Sequence, residues 1–391
     1  MIHQYVNNGY HIVLDVNSGS VHVVDELCYD VIQALDTMGI DQAENPVEEL
    51  KKEETAAGLL EKLSAKYAES DLKDAYGDIV ELTEAGQLFT KDIYEQYIGE
   101  VKQRKTVVKA LCMHIAHDCN LACKYCFAEE GEYHGRRALM SYEVGKKALD
   151  FLIANSGNRR NLEVDFFGGE PLMNWQVVKD LVAYGREQEK IHNKNFRFTI
   201  TTNGVLLNDE VQEFVNKEMD NVVLSLDGRK EVNDKMRPFR NGKGSYDLIV
   251  PKFQKLADSR NQEKYYVRGT FTRDNLDFSK DVLHFADLGF KQISIEPVVG
   301  EDSDFYSIKK EDLPKIFEEY DALAKALVER EGRKRSEFLP LHDRSRRWSV
   351  RCKEIVRMWF GHRVSCSDAL GRSLPLSSVR RRRRVPDGKC R

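Results

Sequence analysis

The sequence lacks any apolar run long enough to cross a bilayer, and its opening MIHQYVNNGY lacks the charged-then-apolar layout of a signal peptide. Both absences point to a soluble, cytosolic protein without a membrane partner. Proline is sparse at 9 and glycine ordinary at 25 in 391 residues, which excludes low-complexity and collagen-like chains. Positive charge is not in excess: the net is -4, against the basic balance of most nucleic-acid binders. What is present is 41% hydrophobic residues, enough for a sizeable core, in a length that implies two or three domains.

The charge is unevenly spread. Residues 339–391 hold 15 Lys and Arg against 4 Asp and Glu, including five consecutive arginines from Arg380 to Arg384. So abrupt a shift marks a basic tail or a tail of different origin.

Residues 1–95 read as one small module: YHIVLDV and VHVVDEL joined by the turn signal NSGS, then helical patterns. A hairpin with helices fits a winged-helix-like domain, and its many acids favour a peptide partner over DNA. Residues 96–106 read as a linker. Residues 107–337 alternate strand-like runs (VKALCMHIA, LEVDFFG, FRFTITTNG, NVVLSLDG, YYVRGTF, QISIEPV) with amphipathic helical stretches. That rhythm predicts an α/β fold, a parallel sheet in a partial (β/α)6 barrel, with its site at the C-terminal ends of the strands. Residues 338–391 show poor periodicity and are expected to be disordered.

Three of the eight cysteines, Cys119, Cys123 and Cys126, fall within CNLACKYC, just after the first of these strands. In a reducing compartment such clustering points to metal or redox chemistry. Three thiolates can hold three corners of an iron–sulfur cube and leave one iron open. His114 and His117 could instead complete a zinc site. His114 alternates with apolar strand residues, which favours a core or supporting role. Cys28 and Cys112 read as small buried hydrophobes. In FFGGEP, Gly168 and Gly169 allow close backbone approach to a ligand, and Glu170 can accept from an ammonium group. TTNG (201–204) is also an ordinary turn signal. Arg268, inside an apolar strand, demands a buried partner, such as a ligand or Glu296.

The C-x3-C-x-Tyr-C spacing after strand one, with GGE after strand two, resembles the radical S-adenosylmethionine (SAM) superfamily. The resemblance implies a [4Fe-4S] cluster on Cys119, Cys123 and Cys126, with SAM on the open iron. It also implies Tyr125 beside the adenine, Gly168, Gly169 and Glu170 around the methionyl amino group, and Ser225, Arg237 and Arg268 as further SAM contacts. The opening residues, the acidic module and the barrel together resemble the SCIFF maturases. That implies a small Cys-rich precursor peptide gripped by the N-terminal module, and a thioether between a cysteine sulfur and an α-carbon. It also implies an electron donor such as flavodoxin or ferredoxin. An anaerobic sulfatase-maturing enzyme is the alternative within the superfamily, and a zinc-containing nucleic-acid regulator the alternative outside it.

Such maturases continue into a cysteine-rich SPASM domain with auxiliary [4Fe-4S] clusters, whereas this tail holds only scattered Cys352, Cys366 and Cys390. Met358-Trp359 has a single coding, ATGTGG. Read one base later, into the T that opens the Phe360 codon, it gives Cys-Gly. Permitted codons for the whole tail, read in that frame, can spell a SPASM-like segment containing GDLYPC. One extra base after the Phe338 codon accounts for this. The expectation is therefore an out-of-frame tail whose three cysteines bind no cluster, on an enzyme able to cleave SAM but poor at turning over peptide.

Overall fold

The computed structural model describes residues 1–103, 107–129, 131–133, 135–333, 365–367 and 373–375. The chain forms two compact units, Met1–Lys105 and Thr106–Arg391.

The first unit opens with an antiparallel meander of β1 (Ile2–Asn7), β2 (Tyr10–Asp15) and β3 (Ser20–Val24), paired in that order. The hairpin expected at NSGS is β2–β3, with Asp15 opposite Ser20. β1 joins β2 through Asn8-Gly9, both at positive φ (52° and 83°), as a two-residue hairpin turn requires. Four helices follow, Glu26–Thr37, Pro46–Leu50, Glu53–Leu63 and Glu69–Glu84. Asp25 caps the first by accepting the Cys28 N–H at 2.8 Å. Val13, Val31, Leu35, Leu59, Leu72 and Ile79 form the centre of one apolar core. The buried Asp15 carboxylate accepts from the Thr90 N–H (2.9 Å) and hydroxyl (2.7 Å), tying the sheet to the segment after the helix Glu69–Glu84.

The second unit is built on β4 (Ala110–His117), β5 (Ala138–Leu139), β6 (Asn161–Gly168), β7 (Asn195–Thr202), β8 (Asn221–Ser225), β9 (Tyr265–Phe271), β10 (Ile293–Pro297), β11 (Ser365–Ser367) and β12 (Ser373–Pro375). β4, β6, β7, β8, β9 and β10 lie side by side in sequence order, every neighbouring pair parallel. These are the six strands read from the sequence. Helices Tyr142–Ala154, Trp175–His192, Asp209–Glu218, Tyr246–Ser259 and Phe278–Asp287 pack on one face. Strand alternation feeds that layer: Met113, Val164, Phe198, Leu224 and Val267 are fully buried in it. Each such side chain contributes about 1.5–3 kcal/mol by leaving water. The intervening side chains, including His114, Phe167, Ser225 and Arg268, are left to the opposite face.

The tail departs from the structureless expectation at six residues. β11 pairs parallel to β4, with Ser365 opposite Leu111, and β12 pairs antiparallel to β11. β4 would otherwise offer a row of unpaired backbone groups there, and a strand from the tail satisfies them. Cys352, Cys390 and the five arginines lie outside the described residues.

Candidate functional site

In a parallel sheet of this order the loops after β4, β6, β7 and β8 leave from the same edge. Those loops carry CNLACKYC, GGEP, TTNG and SLDG. Their hydrogen bonds show that they form one assembly.

The cysteine loop is pinned first to the end of β6. Gly169 N–H donates to Ala116 O (2.8 Å) and Glu170 N–H to Asp118 O (2.9 Å). The glycines are needed for this contact. A Cβ on Gly168 would lie 2.5 Å from Ala116 O, and one on Gly169 2.1 Å from Asp118 O. Gly168 also sits at φ +124°. Both glycines thus allow one loop to approach another closely.

Glu170 is 0% exposed and draws the third loop in. One of its oxygens accepts from Leu172 N–H (3.0 Å) and the Thr202 hydroxyl (2.8 Å), the other from Asn203 N–H (2.8 Å). Burial pushes its carboxyl above the ordinary range, against those three donors. Asn203 completes the link to the cysteines. Its amide nitrogen donates to Asn120 Oδ1 (2.7 Å) and lies 3.6 Å from Cys119 Sγ.

The fourth loop is reached through Tyr125. Its hydroxyl donates to the Asp227 carboxylate (2.8 and 2.7 Å to the two oxygens) and accepts from Arg237 at 2.9 Å. Asp227 is 0% and Arg237 9% exposed. Burial raises the Asp227 carboxyl, while Arg237 and the Tyr125 hydroxyl oppose the shift. Burial also works against the Arg237 charge, but the fields of Cys123, Tyr125 and Asp227 override it and hold the guanidinium above its ordinary value. The backbone on either side of Arg237 clamps the cysteine loop directly: Ala122 N–H donates to Pro238 O (2.8 Å) and Lys124 N–H to Met236 O (2.9 Å). Arg240 adds bonds to Asp118 (2.9 Å) and Cys119 O (2.6 Å).

Ser225 ends β8, half-buried, in register with Arg268. Arg268 requires a correction. It is not buried: its side chain is 43% exposed and paired with Glu296. Tyr265, Val267, Gly269 and Phe271 take the buried face of β9, so Arg268 faces the other way. His114 and His117 are buried against Tyr133, with ring centroids 4.4 and 4.9 Å away. Beside them Phe167 stands 6.0 Å from His114, and Phe127, next to Cys126, is 55% exposed.

The donor set fits an iron–sulfur cluster. Cys119, Cys123 and Cys126 are all free thiols on one loop. Burial pushes the Cys119 thiol up to about 12, with Glu170 adding to the shift, and the Cys123 thiol to about 11, against the opposing pull of Arg237. Two polar atoms nearby, Arg237 Nε and Asn120 Nδ2, are buried without a hydrogen-bond partner. Among the described residues no group of three or more His, Cys, Asp or Glu is placed to hold a single metal ion.

The structure adds Asp227, Asn203, Asn120 and Arg240 to the residues singled out from sequence. Asn203 had been visible only within the turn signal TTNG, and Asp227 only within the run NVVLSLDG.

Residues 113–268 match the model of the radical SAM superfamily. An uncharacterized protein of Methanocaldococcus jannaschii is 32% identical over 191 residues, 48% of this chain and 62% of that one. The radical SAM cyclopropyl synthase TigE of Paramaledivibacter caminithermalis is 25% identical over 191 residues, 46% of this chain and 39% of that one. A cysteine-type anaerobic sulfatase-maturating enzyme of Clostridium novyi is 31% identical over 150 residues, 37% of this chain and 39% of that one. The chain thus spans less than two-thirds of each relative. Among solved structures, Streptococcus suis SuiB bound to its precursor peptide SuiA gives a TM-score of 0.51 at 15% identity, covering 95% of this chain and 81% of that one. The enzyme anSMEcpe with bound AdoMet gives 0.51 at 18%, covering 57% and 62%. At these identities the two likenesses establish the fold alone.

Proposed function

We propose that this chain, which carries a radical SAM domain at residues 113–268, modifies a ribosomally made, cysteine-rich precursor peptide of the SCIFF type by forming a thioether. The observation that carries the reading is the convergence of the cysteine loop with the β6, β7 and β8 loops through Glu170, Asn203 and the Tyr125–Asp227–Arg237 group.

In this reading Cys119, Cys123 and Cys126 hold a [4Fe-4S] cluster. Bound there with SAM, it supplies one-electron reductive cleavage of the sulfonium and hydrogen abstraction from the peptide. The protein's own residues bind and orient. Gly168, Gly169 and Glu170 shape the methionyl end of the SAM site, and Ser225 lies at its edge. Tyr125 flanks the adenine. Arg237, with its unpartnered Nε, offers a donor to the SAM carboxylate. A small acidic carrier such as flavodoxin or ferredoxin is the proposed electron source.

The first unit, as a winged-helix-like module, is the proposed peptide-recognition element. β3 is an edge of its sheet, and Val21 (62% exposed) and Val23 (65%) stand bare on it. A leader segment could add there as a fourth strand. The sulfatase-maturating relative supports action on a protein and keeps sulfatase maturation as the second reading.

Residues 339–391 are proposed to be an out-of-frame reading of a SPASM segment. Sequencing the genomic DNA across the codons for Arg335 to Arg344 tests this. The function itself is tested by anaerobic incubation with SAM, dithionite and a cysteine-rich peptide. 5′-Deoxyadenosine is expected from the chain, and none when Cys119, Cys123 and Cys126 are all alanine. A peptide product lighter by two hydrogens would mark the thioether, and with the out-of-frame tail little of it is expected from this chain.

A further inference from the structure

We infer that Asn203 is a positioning residue that makes the cluster easier to reduce, by directing its side-chain N–H at the sulfur of Cys119. This rests on the reading that Cys119 ligates iron.

The carboxamide has one orientation. Asn203 Oδ1 accepts the Val205 N–H at 3.0 Å, so the nitrogen must face the other way. There its two hydrogens meet two acceptors, Asn120 Oδ1 at 2.7 Å and Cys119 Sγ at 3.6 Å. The side chain is held by its bonds to Val205 and Asn120, and the backbone beneath it by the buried Glu170 carboxylate, which accepts the Asn203 N–H at 2.8 Å. Asn203 is itself 5% exposed, so solvent does not compete for the bond.

The direction of the effect follows from charge. One-electron reduction adds negative charge to the cluster and its thiolates. An N–H dipole with its positive end toward sulfur stabilises the reduced form more than the oxidised form. Hydrogen bonds to cluster sulfurs are one of the protein's levers on this potential. Asn203 thus lies between the buried Glu170 carboxylate, which accepts its backbone N–H, and the Cys119 sulfur that its side chain faces. An external low-potential donor supplies the electron, and Asn203 sets how far that transfer proceeds.

The experiment compares the full-length wild type with Asn203→Asp, both reconstituted anaerobically, by redox titration of the cluster followed by electron paramagnetic resonance. Asn203→Asp keeps an oxygen for the Val205 N–H and replaces the donor at sulfur with an acceptor. The reduction equilibrium is expected to fall at least about tenfold, a shift of about 59 mV for a one-electron couple. Coincident potentials in two proteins with equal iron content would overturn the inference while leaving the cluster reading intact. A wild type that loads no iron would bring down both. If Asn203→Asp does not assemble a cluster, Asn203→Ser carries the same comparison, with a smaller shift of the same sign expected and no shift overturning the inference.

Discussion

The Tyr125 hydroxyl donates to Asp227 and accepts from Arg237, joining residues 102 and 112 positions apart in the sequence at 2.7–2.9 Å. Through this one phenol the cysteine loop is fastened to the end of β8 and to the helix Lys230–Met236 that follows. Removing the hydroxyl leaves a buried carboxylate without its principal donor. Tyr125→Phe is expected to destabilise the protein by about 1–3 kcal/mol in urea unfolding. Arg237→Met, which leaves Asp227 charged and unpaired, is expected to cost about 3–5 kcal/mol. Equal, negligible effects from both would contradict the network.

Gly169→Ala tests the seam between the β4 and β6 loops. The added methyl would have to displace the backbone of Asp118, one residue from Cys119. A loss of about 1–3 kcal/mol is expected from overpacking. Iron content after reconstitution should fall with it, because the displaced segment leads directly into the cysteines. Full iron loading in Gly169→Ala would show that the seam does not position them.

Much of this was legible in the sequence, for reasons that differ from feature to feature. Six apolar runs at βα spacing could become a sheet in few ways, and they pair as read. Three cysteines within eight residues are a local pattern, visible without a fold. Glu296 is the partner named for Arg268 from sequence, but the pair is exposed rather than buried. In β9 only alternate residues are buried, and Arg268 is on the open face. The bond between Tyr125 and Asp227 joins distant loops, so no spacing in the chain announces it. Asn203-Gly204 satisfies the chemistry of a turn, and that adequate explanation hid the amide's second task at Cys119. The strand Ser365–Ser367 lies in a segment without strand periodicity, and its pairing comes from the open edge of β4.

Arg268→Ala should then be mild. An exposed pair with Glu296 is worth no more than about 1 kcal/mol. A thermal unfolding midpoint within a few degrees of wild type is expected. A collapse of stability would restore the buried reading.

The first unit offers a separate pH test. Burial, and then the neighbouring Asp25, push the Cys28 thiol up to about 11. A raised folded value means that the contribution to stability is complete below the unfolded thiol value of about 8.5. It is lost as pH rises through about 11. Iodoacetamide labelling of Cys28, mapped by mass spectrometry, should be slow at pH 8 and quicken toward pH 11. Rapid labelling at pH 8 would contradict the burial.

The central claim, that Cys119, Cys123 and Cys126 hold a four-iron cluster open to SAM, is tested most directly in one anaerobic preparation. Iron and zinc are quantified, and the reduced protein is examined by electron paramagnetic resonance with and without SAM. About four iron atoms per chain and a spectrum that changes when SAM is added are predicted. A colourless, zinc-containing protein, or an iron signal indifferent to SAM and unchanged when the three cysteines are alanine, would contradict it.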